Sequence, residues 1–317
     1  MSDFICLDEN YSTTQNVSKI KPLVKVDESF KTKLFLRDNN RGIDEGGLRT
    51  TGYYKSSVTK TLITIIIAVF NGEKHLEETI LSIINQTYNN IELIIIDGGS
   101  IDGTLDIIRK YEHAIDYWVS EKDAGISDAF NKGVTLSSGD YINFQGDGDG
   151  FYAKDSLSKI INNVNKNTDI LISGRIQRVC IDGSEMYVSE LKSKFNKKSL
   201  LFRMSIPHQG LFTNIKYFKK YGLFDVNNRY CMDYEHLLRA YHEFPNVVVK
   251  NIIVAKWRAD GLGNNREIDI FKEYNKIKVD NKVASIPSLY IINFLTLFKY
   301  YIKKTIKLII KLNGLLA

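Results

Sequence analysis

Two carboxylates one residue apart, Asp147 and Asp149, close the run DAGISDAFNKGVTLSSGDYINFQGDGD, which begins at Asp123. They follow a short apolar stretch, Tyr141 to Phe144, that reads as a buried strand. Gly148 between them lets a ligand come close to the backbone. Mg2+ and Mn2+ prefer carboxylate oxygen and keep places for water and substrate phosphate, so one or two aspartates suffice when a diphosphate supplies the rest. A cation held there would neutralise charge growing on a departing nucleoside diphosphate. The pair points to nucleotide-sugar chemistry; an Asp/Gly-rich surface turn without a ligand is the alternative for so short a motif.

Further candidates sit at comparable places. Asp97 ends the run IELIIID and is followed by Gly98 and Gly99. It could accept hydrogen bonds from the base or ribose of a nucleotide, or cap the turn that the glycines make. Ala68, Val69, Phe70 and Asn71 leave an earlier apolar run and could wall the base. Phe70 would stack on it there, unless it is a core aromatic.

The elements that must position these residues alternate from Thr61 onward. TLITIIIAV (61–69) and IELIIID (91–97) are continuous β-branched runs, as in strands covered on both faces. EKHLEETILSIINQ (73–86) has apolar residues at Leu76, Ile80, Ile83 and Ile84, a helical spacing. Asp102 can cap the helix GTLDIIRKY. AIDYWVS reads as a third strand, AGISDAFNKGVTLS as a helix and DYINF as a fourth strand. This alternation predicts an α/β/α sandwich with a mainly parallel central sheet, whose ligands sit beyond the carboxyl ends of the strands. Residues 175–191 read as a hairpin turning at Asp182-Gly183. Residues 232–244 read as a helix, and NVVVKNIIVAKW as a strand or strand pair. Arg37 to Gly52 reads as loop within an extension beside the core.

Composition narrows the class. Apolar residues make up 44% and charged residues 25%, which excludes disorder as the main state. Three unpatterned cysteines imply no disulfide framework and fit a reducing cytoplasm, and Met1 to Asn10 reads without a signal peptide. The net charge of +6 is concentrated in residues 285–317, which hold Lys299, Lys303, Lys304, Lys307 and Lys311 and no acid. The rest is near neutral, so no nucleic-acid partner is expected. No G-x-G-x-x-G follows the first strand, which disfavours a dinucleotide oxidoreductase.

TIIIAVFNGEKHLEETILSIINQTYNNIELIIIDGGSIDGT and SEKDAGISDAFNKGVTLSSGDYINFQGDGD together resemble the nucleotide-binding half of family-2 glycosyltransferases with the GT-A (Rossmann-like) fold. Within that family the chain is similar to the bacterial O-antigen and exopolysaccharide type of WfgS and WfeV. The resemblance spans roughly residues 61–260. It implies a UDP-sugar or other nucleotide-sugar donor, a divalent metal (Mn2+ or Mg2+) and an inverting transfer.

Residue by residue, it makes Asp97 the donor-base contact, although many relatives carry a second acid where this chain has Gly98. It makes Asp149 the metal ligand, with Asp147 less securely so. It places Asp123, Asp128, Asn131 and Lys132 on the donor side. It makes Asp233, in CMDYEHLLRA, the general base that deprotonates the acceptor hydroxyl. The first acid of the usual pair is Met232 here; Glu235 is the competing carboxylate, and capping of a helix start is the plain alternative for Asp233. His208 and Gln209 resemble a family His-Gln ahead of the acceptor region. Trp257, Arg258 and ADGLGNN could line the acceptor groove, with a core tryptophan as the alternative.

In the tail, Lys299, Lys303, Lys307 and Lys311 repeat every four residues, and Ile302, Ile306, Ile309 and Leu312 lie on another face. The uncharged run from Ser288 to Phe298 is too short to span a bilayer. A basic amphipathic helix lying on an anionic membrane through residues 288–317 is expected, against packing on the protein's own core. The expected layout is an N-terminal extension (1–58), a GT-A domain (59–265; donor half 61–150, acceptor half 151–265) and a C-terminal basic helical segment (266–317). The expected activity is metal-dependent transfer from a UDP-sugar to a lipid-linked saccharide in surface-polysaccharide biosynthesis, by a peripheral protein at the inner face of the cell membrane. A non-catalytic donor-binding paralogue and a transferase using a polyprenyl-phosphate or soluble acceptor are the alternatives.

Overall fold

The protein is described by a computed structural model covering residues 4–22, 26–27, 30–36, 44–58, 60–190, 194–259 and 266–314. The main sheet takes strands β1 (Asp44–Gly46), β2 (Ile63–Val69), β3 (Ile91–Asp97), β4 (Tyr117–Ser120), β5 (Tyr141–Gly146), β6 (Gly150–Phe151), β7 (Leu171–Val179), β8 (Glu185–Val188), β9 (Leu211–Asn214) and β10 (Val247–Arg258). Their order is β6-β10-β7-β9-β5-β2-β3-β4-β1, with β8 paired to β7 as a hairpin. The centre, β5-β2-β3-β4, is parallel. Antiparallel pairs join β9 to β5 and to β7, and β1 to β4. The α/β sandwich expected from the strand–helix alternation is the one observed.

The helices are α1 (Leu76–Ile84), α2 (Thr104–Lys110), α3 (Ile126–Leu136), α4 (Ser156–Ile161), α5 (Ile215–Tyr221), α6 (Met232–Arg239), α7 (Glu267–Asp280) and α8 (Ile286–Gly314). β2 and β3 are buried along their whole length, which is why their sequences are continuous apolar runs and not alternating ones. Ile80 and Ile83 of α1, Ile108 of α2 and Leu157 of α4 close one face of the sheet; Phe130 and Val134 of α3 and Phe218 of α5 close the other. Each such side chain contributes roughly 1.5–3 kcal/mol on burial. α6, α7 and the start of α8 share a third cluster around Tyr234, Ile277 and Leu289.

Two expectations are corrected. Within the stretch read as loop, Asp44–Gly46 adds an edge strand to β4, because its backbone satisfies an otherwise open ladder; residues 37–43 lie outside the described residues. The helix expected over 232–244 ends at Arg239, where Ala240 and Tyr241 close it with backbone turns. Of the two readings of NVVVKNIIVAKW, the single strand is the one observed, Val247–Arg258, with irregular register opposite Ser173 to Ile176.

Register decides what the sheet presents at its carboxyl end. Ala68 of β2 pairs with Gly146 of β5, Val69 with Asp97 of β3, and Asp97 with Ser120 of β4. The loops after these strands therefore leave from one row.

Candidate active site

The loop after β5 is held from below by α1. Thr79 is fully buried; its hydroxyl donates to the Asp149 carbonyl at 2.6 Å and accepts from the Gly148 N–H at 2.9 Å. Gly148 has φ +83, and a Cβ there would lie 2.6 Å from Arg258 Cδ, so the loop needs glycine. The carboxylate of Asp149 accepts N–H bonds from Gln209 Nε2 at 3.0 Å, Gly146 at 3.2 Å and Arg258 at 3.2 Å. Enclosure pushes its pKa up to about 7; those three donors oppose the shift and the Asp147 charge adds to it. All three of these donors are neutral N–H groups.

An ionised carboxylate has about four acceptor sites, so Asp149 can still give an oxygen to a cation. Among the described residues no three His, Cys, Asp or Glu side chains gather as a metal cage. The donor set fits a hard cation whose remaining ligands are diphosphate oxygens and water. Asp147 stands beside the loop after β2, where a Cβ on Gly72 would lie 3.0 Å from its Oδ2.

On the donor side, Ala68 is buried and Phe70 is 62% exposed just beyond β2, an open aromatic face. Asn71, at φ 54, ties the neighbouring loop: its N–H donates to Ser100 Oγ at 2.7 Å and its Oδ1 accepts from the Ile101 N–H at 3.0 Å. Asp97 is fully buried, and its carboxylate accepts from the Gly99 and Ser100 N–H groups and from the Ser100 and Ser120 hydroxyls. These bonds tie it to the Ser100 turn and to Ser120 of β4; among the described residues its Oδ1 accepts only from the Ser100 hydroxyl. The half-exposed carboxylate in that neighbourhood is Asp123, over Gly98, where a Cβ would lie 2.8 Å from Asp123 Oδ2.

Lys132 pairs with Asp128 and with Glu121. Lys132 Nζ lies 2.9 Å from Glu121 and 3.3 Å from Asp128, and these carboxylates raise its pKa against the burial that alone would lower it. Its charge is neutralised within the chain, and the trio fixes the loop ahead of α3. Asn131 exchanges hydrogen bonds with the backbone of Phe224 at 2.9 and 2.8 Å, so it too is structural.

Asp233 opens α6 with its side chain 21% exposed. Glu235 is engaged by Arg239, one turn on, whose guanidinium also donates to the Tyr221 and Leu223 carbonyls. Asp233 Oδ1 accepts the Tyr234 N–H at 2.7 Å, the helix-start bond that is its plain alternative role. His208 Nδ1 stands 3.7 Å from Asp233 Oδ2, inside ion-pair range but long for a hydrogen bond. The ring stacks on Phe144 of β5 at 5.3 Å between centroids, and burial lowers its pKa against the pull of Asp233.

Consecutive residues of one short turn, His208 and Gln209, thus touch Asp233 and Asp149 respectively. Sequence reasoning left this pair at the margin and missed Thr79, whose signal was a hydroxyl on the apolar stripe of α1. Arg258 reaches Asp149 through its backbone N–H, while Trp257 packs against the core with Arg178 over its ring at 4.1 Å. The loop expected at 259–265 lies, beyond Ala259, outside the described residues.

Residues 64–223 match the family described as glycosyl transferase family 2. An uncharacterized glycosyltransferase of Rickettsia typhi is 28% identical over 232 residues, covering 70% of this chain and 72% of that one. A PGL/p-HBAD biosynthesis glycosyltransferase of Mycobacterium bovis is 29% identical over 224 residues, covering 68% of this chain and 83% of that one. Staphylococcus aureus TarS 1-349, solved in complex with UDP-GlcNAc, superposes with a TM-score of 0.58 at 16% identity over 74% of this chain and 71% of that one. The mannosyltransferase PcManGT of Pyrobaculum calidifontis, solved with GDP-Man and Mn2+, gives 0.54 at 15% over 77% and 71%. At such identities the structural likeness is one of fold, the GT-A arrangement. The family match takes in half of the sequence, from β2 through α5, so the chain belongs to glycosyl transferase family 2 and is a glycosyltransferase.

Proposed function

We propose that the protein is an inverting, metal-dependent glycosyltransferase that moves a sugar from a UDP-sugar to a lipid-linked saccharide. The product would enter surface polysaccharide, of the O-antigen or capsule kind, with the enzyme peripheral at the inner face of the cell membrane. The observation that carries the reading is the His208–Gln209 turn, which contacts the candidate metal ligand on one side and the candidate base on the other. A turn lying against both carboxylates supports a direct displacement, which needs its acid groups held in one geometry.

Phe70 offers its ring to the nucleotide base, and Asp123 stands where a ribose hydroxyl could donate to it. Asp149, with Asp147 beside it, holds the cation, which when bound supplies charge neutralisation for the leaving diphosphate. Asp233 takes the proton of the acceptor hydroxyl as that oxygen bonds to the anomeric carbon. The bond from that carbon to the diphosphate oxygen breaks on the opposite side, so the configuration inverts. The UDP choice is supported by the TarS complex with UDP-GlcNAc; the PcManGT complex with GDP-Man keeps GDP-sugars in the test.

The deciding experiment screens UDP-, GDP- and dTDP-sugars with Mn2+ or Mg2+ and a lipid-diphosphate acceptor analogue, read by nucleotide release. Acceptor-dependent release with a UDP-sugar, lost on chelation, is expected. Donor binding without turnover would instead favour the non-catalytic paralogue, for which Met232, buried ahead of Asp233, is the relevant departure from the family pattern.

A further inference from the structure

α8 has two faces with different surroundings. Leu289 is 2% exposed in the third core cluster, Asn293 Oδ1 accepts from Lys278 Nζ of α7 at 2.6 Å, and the Tyr300 ring meets Phe271 of α7 at 5.3 Å. These positions recur at the helical period and turn toward the body. The opposite face carries Tyr290, Ile291, Phe294, Phe298, Ile302 and Ile309, all exposed: Tyr290 is 74% open, Phe294 66% and Ile291 62%. This stripe runs about 29 Å along the helix. From Tyr301 to Ile306 every residue is exposed, so the helix has left the body while its apolar face continues. No helix among the described residues is long and apolar enough to cross a membrane.

A contiguous apolar face of this kind on a folded protein marks an interaction surface. Its chemistry selects the occupant. Residues 285–317 contain five lysines and no acid, and Lys299, Lys303 and Lys304 are exposed on the sides of the helix that flank its polar back, opposite the stripe. A second copy would bring like charges together, whereas an anionic lipid surface matches the lysines and takes up the aromatic and aliphatic side chains.

The helix is also joined to the reacting end of the protein. Glu273 of α7 accepts the N–H groups of Tyr230 and Cys231 at 3.2 and 3.1 Å, directly ahead of Asp233. Tyr274 stacks on Tyr234 at 4.2 Å between centroids. α7 therefore satisfies the backbone just ahead of the base-bearing helix, next to the Tyr234 N–H that Asp233 itself accepts, and the same α7 holds α8 through Lys278 and Phe271.

We infer that α8 lies on an anionic bilayer through the Tyr290–Ile309 stripe, and that α7 transmits this placement to the start of α6, so that the acceptor side of the crevice is held at a fixed height over the membrane. The second half rests on the reading of Asp233 as the acceptor base. A saccharide anchored in the same bilayer would then reach the base by lateral diffusion.

The test uses the full chain and vesicles of phosphatidylglycerol with phosphatidylcholine, against phosphatidylcholine alone. Co-sedimentation with the anionic vesicles is expected, weakening in high salt, because each lysine near such a surface adds about fivefold in affinity. Phe294→Glu with Phe298→Glu, both on the exposed face, should lower binding about tenfold or more. Hydrogen exchange on the vesicles should slow in α8, in α7 and in residues 230–239. No binding to anionic vesicles, unchanged binding in the double variant, or dimerisation abolished by the same substitutions would each overturn the lipid assignment. Slowing confined to α8 would overturn the link to α6. Asp149→Asn should keep vesicle binding, so failure of the donor reading and failure of the membrane contact are told apart.

Discussion

The two ends of the parallel strands handle buried charge in opposite ways. At the amino end, Glu92 pairs with Arg49 at 2.6 Å, both almost fully buried, and accepts further bonds from Thr64 and Ser138. Burial alone would raise the Glu92 pKa, yet Arg49 and those donors bring it below the usual value. Asp116 nearby is raised to about 7 by burial, with Lys55 opposing. Cations supplied by the N-terminal segment answer these acids. At the carboxyl end Asp149 is raised to about 7 as well, but neutral N–H groups and a repelling Asp147 surround it. At the amino end buried cations of the chain answer the acids; at the carboxyl end the bonds to Asp149 come from neutral N–H groups, as the proposed cation site requires.

The largest expected effect tests that distinction directly. Asp149→Asn should abolish transfer, and Asp233→Asn should lower kcat about a thousandfold, both with the fold kept by circular dichroism. Normal turnover in either variant removes that residue from the chemistry. Arg49→Met should do the reverse. Leaving Glu92 buried without its cation costs about 3–5 kcal/mol, or about 10 °C in Tm, while activity per folded molecule stays near that of the wild type. A loss of turnover larger than the loss of folded protein would mean that the two ends are not independent.

The acidic groups also separate by pH. Asp149 has a folded pKa near 7 against about 3.9 unfolded, so the folded protein holds a proton between those values that the unfolded chain lacks. Its contribution to stability is therefore greatest below pH 4 and is lost as pH rises through 7. Asp116 has the same sign. Only at Asp149 should a cation compete with the proton: with donor present, Mn2+ affinity should fall about tenfold per unit below pH 7 and level off above it. Calorimetry in buffers of different ionisation heat would register the released proton at pH 6 and little at pH 8. Proton release that survives Asp149→Asn would assign the cation elsewhere.

The two ends were not equally legible in the sequence. β2 and β3 announce themselves because a strand buried on both faces has no polar phase, and Asp149 is adjacent in sequence to the strand that carries it. Gln209 reaches Asp149 from 60 residues away, a pairing made by sheet order alone. The edge strand at Asp44–Gly46 has no apolar pattern because it contributes backbone and not core. Arg49 falls in the stretch that reads as loop, and only the packed segment shows that it and Lys55 are buried.

Asp97 is the residue that crosses the comparison, and it gives the smallest expected change in chemistry. It stands at the carboxyl end, in register with Ser120 and next to Val69, yet its carboxylate accepts four hydrogen bonds from the chain, as Glu92 does at the other end. Position says function; hydrogen bonding says structure. If bonding governs, Asp97→Asn replaces an acceptor with a donor facing the Ser100 and Gly99 N–H groups. It should cost about 1–3 kcal/mol of stability, with kcat/KM falling less than tenfold once corrected for folded protein. A Ser120→Ala change should reproduce part of the stability loss, because it removes one donor from the same carboxylate. A collapse of donor affinity in Asp97→Asn without loss of stability would show instead that the nucleotide displaces the Ser100 turn on binding. Asp97 would then belong with Asp149 among the groups that the proposed reading gives to the donor.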